Sequence, residues 1–165
     1  MKVYISVDME GICGVAVWTM TESDGRDYPR FRKLMTLEAN AAIEGALMAG
    51  ADEVLVNDSH GSMTNILIED LHPVAKLISG NQKHLCMAEG LSSEFAAAAL
   101  IGYHQREGGG DGVLNHTMNG RVLNIRMNGH AVGEAQMTAM VAGHFGVPLV
   151  AASGDSSFLK ELSSD

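Results

Sequence analysis

An apolar segment at the start of the chain ends abruptly in two carboxylates, Asp8 and Glu10. Residues 2–7 have the pattern of a buried strand, so Asp8 and Glu10, at positions i and i+2, project from the same side of extended backbone. Gly11 follows at once and allows a sharp turn. Carboxylate oxygens are hard ligands for divalent cations, which would neutralise the paired charges. The stretch therefore predicts a metal site at a strand end, with a helix N-cap followed by an exposed acid as the alternative.

Apolar segments of strand length alternate with helical patterns along the rest of the chain. A long helix is predicted from Pro29 to Ala49, with a buried stripe that includes Phe31, Leu34, Met35, Ala42 and Ala46. The other predicted elements are strands at 53–57, 75–79, 97–103, 121–127 and 147–153, short helices at 63–71 and 92–96, a helix at 133–145, and a polar tail after Asp155. For 97–103, a small and apolar segment, a helix is nearly as compatible as a strand. This alternation predicts an α/β fold, a three-layer sandwich with a mostly parallel central sheet. In such sheets, ligands bind at the carboxyl ends of the strands.

Composition narrows the classes of partner. The 165 residues fit one domain, residues 1–165, and the net charge of −9 without a basic stripe argues against nucleic acid and anionic membranes as partners. No apolar run approaches the length of a membrane span, and no signal peptide precedes the first strand. Cys13 and Cys86 are widely spaced and are expected to be free thiols in a reducing compartment. We therefore expect a cytoplasmic protein.

Three further residues with metal-ligand chemistry occupy matching positions. His60 follows the strand predicted at 53–57, His104 follows the segment at 97–103, and Glu134 lies in the first turn of a predicted helix, on its buried face. Each alone has an ordinary explanation, since a histidine after a strand is commonly a turn residue and an acid is favoured at a helix N-terminus. Three predicted strand ends that all carry Asp, Glu or His are harder to explain as unrelated residues. Parallel strands bring their carboxyl ends to one edge of the sheet, where these side chains can form a single site.

Five candidate ligands exceed the three that one catalytic zinc normally takes from a protein. Two metal ions that share a bridging carboxylate accommodate them, and Asp8 is the best candidate for the bridge. The mixture of imidazole and carboxylate suits zinc, with manganese or cobalt as alternatives.

His116 follows a glycine-rich loop and has no evident structural task. We predict that it shuttles a proton or stabilises a tetrahedral intermediate, with an ordinary surface histidine as the alternative. Glu38 and Asp58 are candidates for supporting the ligands from behind, with Asp58 as an acceptor for His60. Cys13 is expected near the site as a bystander.

Several short motifs together resemble one enzyme family. They are Ser6-Val7-Asp8-Met9-Glu10-Gly11, Val56-Asn57-Asp58-Ser59-His60, Leu71-His72-Pro73, Leu77-Ile78-Ser79-Gly80, Gly102-Tyr103-His104 and Gly133-Glu134. In this order they resemble the zinc-dependent D-aminopeptidases of the bacterial dipeptide-transport operon, over nearly the whole chain.

The resemblance implies a two-zinc aminopeptidase that acts on short peptides with an N-terminal D-residue, such as D-Ala. It implies Asp8 as the bridging ligand, with Glu10 and His60 on one zinc and His104 and Glu134 on the other. The catalytic histidine of the family corresponds to His116. The family also implies a ring-shaped homo-oligomer and a C-terminal portion beyond the single catalytic domain expected here.

Two other functions are compatible with the same residues. One is a different metal-dependent hydrolase, such as an amidase, an esterase or a phosphoesterase, although the acidic net charge disfavours a polyanionic substrate. The other is a non-catalytic metal-binding domain or an inactive fragment. Five ligands together with His116 favour catalysis, because a structural zinc site is typically closed by four ligands.

Overall fold

A five-stranded parallel sheet forms the centre of the computed structural model, which describes residues 1–163. The strands in chain order are β1 (Lys2–Val7), β2 (Glu53–Asp58), β3 (Ala75–Ile78), β4 (Ala97–Tyr103), β5 (Ile125–Met127), β6 (His130–Val132) and β7 (Leu149–Gly154). The sheet has the order β3-β2-β1-β4-β7, and β5 pairs with β6 in a separate antiparallel hairpin. The mostly parallel sheet expected from the sequence is confirmed, and β1 is its middle strand.

One face of the sheet is covered by helix α1 (Tyr28–Met48), which connects β1 to β2. Pro29 lies in the first turn, where a missing amide is tolerated, and Gly50 has a φ of +92° just after the last turn. The side chains that α1 buries against the sheet include Tyr28, Phe31, Met35, Ala39 and Ile43. The helix predicted at 29–49 is therefore confirmed, but Leu34, Ala42 and Ala46 are only partly buried.

The opposite face is covered by helix α2 (Glu134–His144) and by the segment that precedes β4. Tyr4 and Ala98 point to this face and pack with Phe95, Ala142 and Val147. The Tyr4 and Phe95 rings meet edge-on, with their centroids 5.6 Å apart. Helices on both faces of the sheet confirm the predicted three layers. No helix within residues 1–163 combines the length and the apolar character needed to cross a membrane.

Two short helices expected from the sequence are absent, and their absence has a local cause. Residues 63–71 form turns, because Met63 has a φ of +58°, outside the helical region, and the amides of Asn65 and Ile66 donate to the Asp58 carboxylate. Residues 92–96 also form a turn, in which the Phe95 amide donates to the Ser92 carbonyl. The strand expected at 121–127 is confined to its last three residues, β5.

A third helix replaces the polar tail expected after Asp155. Helix α3 (Ser156–Leu162) begins where the Asp155 carboxylate accepts hydrogen bonds from the amides of Ser157 and Phe158, at 2.8 and 3.0 Å. Phe158 is buried and packs near Tyr103 at the end of β4. The expectation of a tail was wrong because the N-cap and this single apolar anchor were overlooked.

The ends of β1 and β4 are in contact where the loops that carry Asp8, Glu10 and His104 begin. The Asp8 amide donates to the Ile101 carbonyl, and the Gly11 amide donates to the Gly102 carbonyl, both at 2.8 Å. A Cβ on Gly11 would lie 1.8 Å from the Tyr103 carbonyl oxygen, so glycine is required there by close backbone approach. Gly102 combines a φ of +71° with a similarly close approach to the Asp8 backbone.

Candidate metal centre

The candidate ligands predicted from the sequence meet at one edge of the sheet. Asp8 follows β1, His60 follows β2 and His104 follows β4, and these three strands are neighbours in the centre of the sheet. Glu10 lies two residues beyond Asp8, and Glu134 is the first residue of α2. Their side chains are almost fully buried, with exposed fractions from 1% for His104 to 11% for His60. The structure therefore brings all five together.

The contacts among these side chains divide into two sets. His60 Nδ1 lies 2.9 Å from Glu10 Oε2 and 3.3 Å from Asp8 Oδ1. His104 Nε2 lies 3.4 Å from Asp8 Oδ2 and 3.5 Å from Glu134 Oε2. Asp8 thus turns one carboxylate oxygen toward each set, which is the arrangement that a bridging carboxylate requires.

Backbone carbonyls fix the orientation of both imidazole rings. His60 Nε2 donates to the Thr21 carbonyl at 2.9 Å, and His104 Nδ1 donates to the Gln105 carbonyl at 2.9 Å. Because a carbonyl only accepts, the proton on each of these nitrogens is fixed. The opposite nitrogen of each ring faces the carboxylates and is the atom available to a metal ion.

Two buried polar atoms provide a test of whether the site fits a metal. Asp8 Oδ2 and His104 Nε2 have no hydrogen-bond partner among the described residues, although both are shielded from solvent. A buried polar atom without a partner is unfavourable, and a cation between these two atoms would satisfy both. The donor set of carboxylate oxygens and imidazole nitrogens is one that zinc accepts. The residues therefore fit a metal site.

The electrostatics of the site also favour a bound cation. Burial opposes ionisation of Asp8, but the imidazoles of His104 and His60 outweigh it and hold the pKa of Asp8 well below its usual range. Burial also opposes a charged His60, but Asp8 and Glu10 raise its pKa to about 11. Against the same burial effect, Asp8 and Glu134 raise the pKa of His104 well above its ordinary value. The carboxylates thus favour positive charge at the facing nitrogens, which a proton or a divalent cation can supply.

His116 lies beside the candidate ligands, and three contacts hold its ring. The ring stacks on His104 with a centroid distance of 4.1 Å and meets the edge of Trp18 at 5.3 Å. Its Nδ1 donates to the Leu114 carbonyl at 2.8 Å, and its Nε2 lies 3.7 Å from Glu134 Oε1. The ligand atoms of His104, His116 and Glu134 all lie within 4.8 Å of one another, as do those of Asp8, Glu10 and His104. The geometry places His116 at the site and is compatible with proton transfer or with ligation.

Two supporting roles suggested by the sequence are wrong. Asp58 does not contact the His60 ring, because its carboxylate accepts hydrogen bonds from Asn65 and Ile66. Glu38 accepts a hydrogen bond from the Cys13 amide at 2.8 Å, and Cys13 itself is exposed. The imidazole rings of His60 and His104 are instead oriented by backbone carbonyls. Such contacts cannot be predicted from residue type.

Three residues that the sequence did not single out contribute to the site. The Thr21 carbonyl orients His60, and the Met118 amide donates to Glu134 Oε1 at 2.6 Å. Trp18 packs against His116. Trp18 and Thr21 belong to the long loop after β1, whose length is the one sequence signal that could have indicated them.

The centre borders a cavity of about 120 Å³, whose lining includes Asp8, Glu10, His60, His116 and Glu134. Glu10 and His60 also line a second, larger pocket of about 410 Å³. A small molecule can therefore reach the carboxylates and imidazoles from the surface.

Comparison with known proteins supports the resemblance seen in the sequence. The chain is 46% identical over 161 residues to a D-aminopeptidase of Bacillus subtilis (strain 168), a match that covers 98% of this chain and 58% of the relative. A solved structure described as "Zn-dependent D-aminopeptidase DppA from Bacillus subtilis, a self-compartmentalizing protease" matches with a TM-score of 0.97 and 45% identity, over 99% of this chain and 60% of the other. The chain thus spans less than two thirds of the length of either protein. The D-aminopeptidase family model, Peptidase_M55, matches residues 1–165, and this chain belongs to that family.

Proposed function

We propose that the protein is a two-zinc aminopeptidase that hydrolyses short peptides with an N-terminal D-residue such as D-Ala. The observation that carries the proposal is the orientation of the Asp8 carboxylate, whose Oδ1 faces His60 and whose Oδ2 faces His104. Membership of the D-aminopeptidase family and the similarity to a structure described as zinc-dependent support the metal and the reaction. We infer the preference for D-residues from the similarity to proteins described as D-aminopeptidases.

In this proposal each candidate ligand has one role. Glu10 and His60 would hold one zinc ion, His104 and Glu134 would hold the other, and Asp8 would be shared between them. A metal pair bound there supplies a Lewis acid for the peptide carbonyl and a water whose pKa is lowered toward about 7. The fixed protons on His60 Nε2 and His104 Nδ1 keep the opposite nitrogens directed at the site.

His116 is the proposed catalytic residue. The hydrogen bond from its Nδ1 to the Leu114 carbonyl leaves Nε2 to take up a proton from the attacking water and to deliver it to the leaving amine. Once protonated, the same ring can stabilise the negative charge of a tetrahedral intermediate. Its ring contacts with His104 and Trp18 hold the side chain at the cavity that Asp8 also lines.

Elemental analysis of the purified protein, together with a peptide assay, tests this function. We expect about two zinc ions per chain and hydrolysis of D-Ala-D-Ala but not of L-Ala-L-Ala. Asp8→Ala should lose both ions because it removes the shared ligand, whereas Asp111→Ala, at an exposed carboxylate, should keep both. One retained ion in Asp8→Ala would contradict the bridging role. Cleavage of L-peptides or simple esters in place of D-peptides would contradict the substrate.

We also propose that the protein forms a homo-oligomer, because the similar solved structure is described as a self-compartmentalizing protease. Light scattering measures this directly, and a mass equal to one chain at all concentrations tested would contradict it.

A further inference from the structure

A second pocket, apolar in character, adjoins the cavity beside the metal centre. It has a volume of about 210 Å³, and its lining includes Cys86, Met87, Met118, Met137 and Val141. Cys86, Met87 and Met118 also line the cavity that contains Asp8, and so does Glu134. The two spaces are therefore neighbours that share a wall, and Glu134 stands at their junction.

The floor of this apolar pocket is fixed to the sheet by buried side chains. The Met87 carbonyl accepts hydrogen bonds from Tyr4 Oη at 3.1 Å, from Ser6 Oγ at 2.8 Å and from Asn57 Nδ2 at 2.8 Å. Tyr4, Ser6 and Asn57 are fully buried in β1 and β2, the strands that also carry Asp8 and His60 toward the metal centre. The same two strands therefore fix the position of the pocket floor and of the candidate ligands.

The opposite wall is helix α2, which supplies Met137, Thr138 and Val141 to the apolar pocket and Glu134 to the metal centre. The Met118 amide holds the Glu134 carboxylate at 2.6 Å, and the Thr138 hydroxyl donates to the Glu134 carbonyl at 2.9 Å. Pocket and centre therefore share their framework on both sides. Such a pre-formed, mostly apolar space with a few polar groups, here Glu134 and Thr138, is typical of a site for a small-molecule side chain.

The size and the lining of the pocket define what it can accept. An apolar cavity of about 150 Å³ holds a benzene molecule, so a pocket of about 210 Å³ admits a phenyl ring or a branched aliphatic group. A charged side chain would lose its hydration there without gaining a partner of opposite sign, except a cation near Glu134. The pocket on the other side of the centre is different, since Glu10, Glu22 and Asp24 line it.

We propose that the apolar pocket receives the side chain of the N-terminal residue of the substrate and selects peptides that begin with an apolar residue up to the size of Phe. This inference rests on the proposed aminopeptidase function, because the carbonyl next to that residue must reach the cavity beside Asp8. The side chain branches one bond from this carbonyl, and the apolar pocket is the neighbouring space that shares Glu134 and Met118 with that cavity. Met137 and Val141 set the depth.

The first experiment reduces the pocket without touching a candidate ligand. We expect the wild-type protein to cleave D-Ala-Gly, D-Leu-Gly and D-Phe-Gly. Met137→Trp should lower kcat/KM for D-Leu-Gly and D-Phe-Gly by about tenfold or more relative to D-Ala-Gly, since even one methylene in an apolar pocket changes kcat/KM by about 10–200-fold. Met140→Trp is the matched control, because Met140 lies on the same helix and outside the pocket lining.

The same experiment can overturn the proposal in two ways. An equal loss for all three substrates in correctly folded Met137→Trp would contradict it, and so would selective loss in a D-Ala-Xaa series in which only the second residue varies. If Met137→Trp does not fold, Val141→Phe reduces the same pocket and is judged by the same ratios.

A second experiment reports on occupancy without requiring turnover. Cys86 lines the apolar pocket, whereas Cys13 is exposed and does not line it. Millimolar D-phenylalaninamide should slow alkylation of Cys86 by at least about threefold and leave Cys13 unchanged, whereas glycinamide, which has no side chain, should protect neither thiol. Mass spectrometry resolves the two positions.

The two experiments distinguish failure of the pocket from failure of the function. A protein that cleaves no peptide would refute the aminopeptidase, and the alkylation of Cys86 would then decide the pocket alone. A protein that cleaves D-Ala-Gly but shows no protection of Cys86 would retain the aminopeptidase and refute the pocket.

Discussion

The role of His116 distinguishes a catalytic site from simple metal binding, because His116 lies at the centre without belonging to either set of candidate ligands. We expect His116→Ala to lower kcat for D-Ala-D-Ala by about 10²–10⁴-fold, the usual contribution of a positioned acid–base group. Its zinc content should stay at the wild-type value, since Asp8, Glu10, His60, His104 and Glu134 remain. Steady-state kinetics and elemental analysis on the same preparation measure both quantities.

The control for this change is His144→Ala, which removes an exposed imidazole at the end of α2. It should keep full activity. Normal cleavage by His116→Ala would refute the acid–base role, and loss of one zinc ion would show that His116 acts as a ligand together with His104 and Glu134.

Gly102 is a residue whose importance comes from its backbone. A Cβ there would lie 2.4 Å from the Asp8 carbonyl oxygen and 2.5 Å from Ile12 Cδ1, at a φ of +71° that other residues rarely adopt. We expect Gly102→Ala to lower the free energy of unfolding by about 1–3 kcal/mol. Urea denaturation measures the change, and Gly120→Ala, where a Cβ meets nothing within 4 Å, should change it by less than about 0.5 kcal/mol. Equal stability of the two variants would contradict this explanation.

At the level of elements, the sequence predicted where the central strands end but not the conformations of the loops that follow them. The apolar runs before Asp8, His60 and His104 predict three strands, and parallel pairing brings their ends to one edge. The conformations of the loop after β1 and of the segment before β5 depend on distant hydrogen bonds, such as those from His60 to Thr21 and from Met118 to Glu134. Residue type does not determine such backbone contacts, which explains why Asp58 and Glu38 were assigned the wrong partners.

Helix α3 is the element that the sequence analysis missed, and Phe158 is its anchor. This side chain is 1% exposed and lies against Tyr103 with a ring centroid distance of 6.2 Å. Phe158→Ala should lower the free energy of unfolding by about 3–5 kcal/mol, because it removes buried area and leaves a cavity. Leu159→Ala, at the neighbouring residue that is 41% exposed, should cost far less. If denaturation curves of the two variants coincide, α3 does not stabilise the sheet.

At the scale of the whole molecule, the centre connects parts of the chain that are far apart in sequence. Asp8 and Glu10 lie near the start of the chain and Glu134 lies in its last third, while His60 and His104 follow β2 and β4. Without a cation, protonated His60 and His104 supply two positive charges against the three buried carboxylates of Asp8, Glu10 and Glu134, so the buried charge is not fully compensated, which opposes folding. A bound metal should therefore stabilise the complete fold and not only the site.

Removal of the metal tests this coupling in the intact protein. A ligand at 100 times its Kd stabilises the folded state by about 2.7 kcal/mol. For a chain of this size, each kcal/mol shifts Tm by about 2–4 °C, so dialysis against a chelator should lower Tm by about 5–10 °C. Added zinc should restore the original Tm, and differential scanning calorimetry measures both steps.

Asp8→Ala should show no response to the chelator, because it binds no metal from the outset. An unchanged Tm in wild-type protein whose metal has been removed would show that the five side chains form a stable site by themselves and do not depend on a cation.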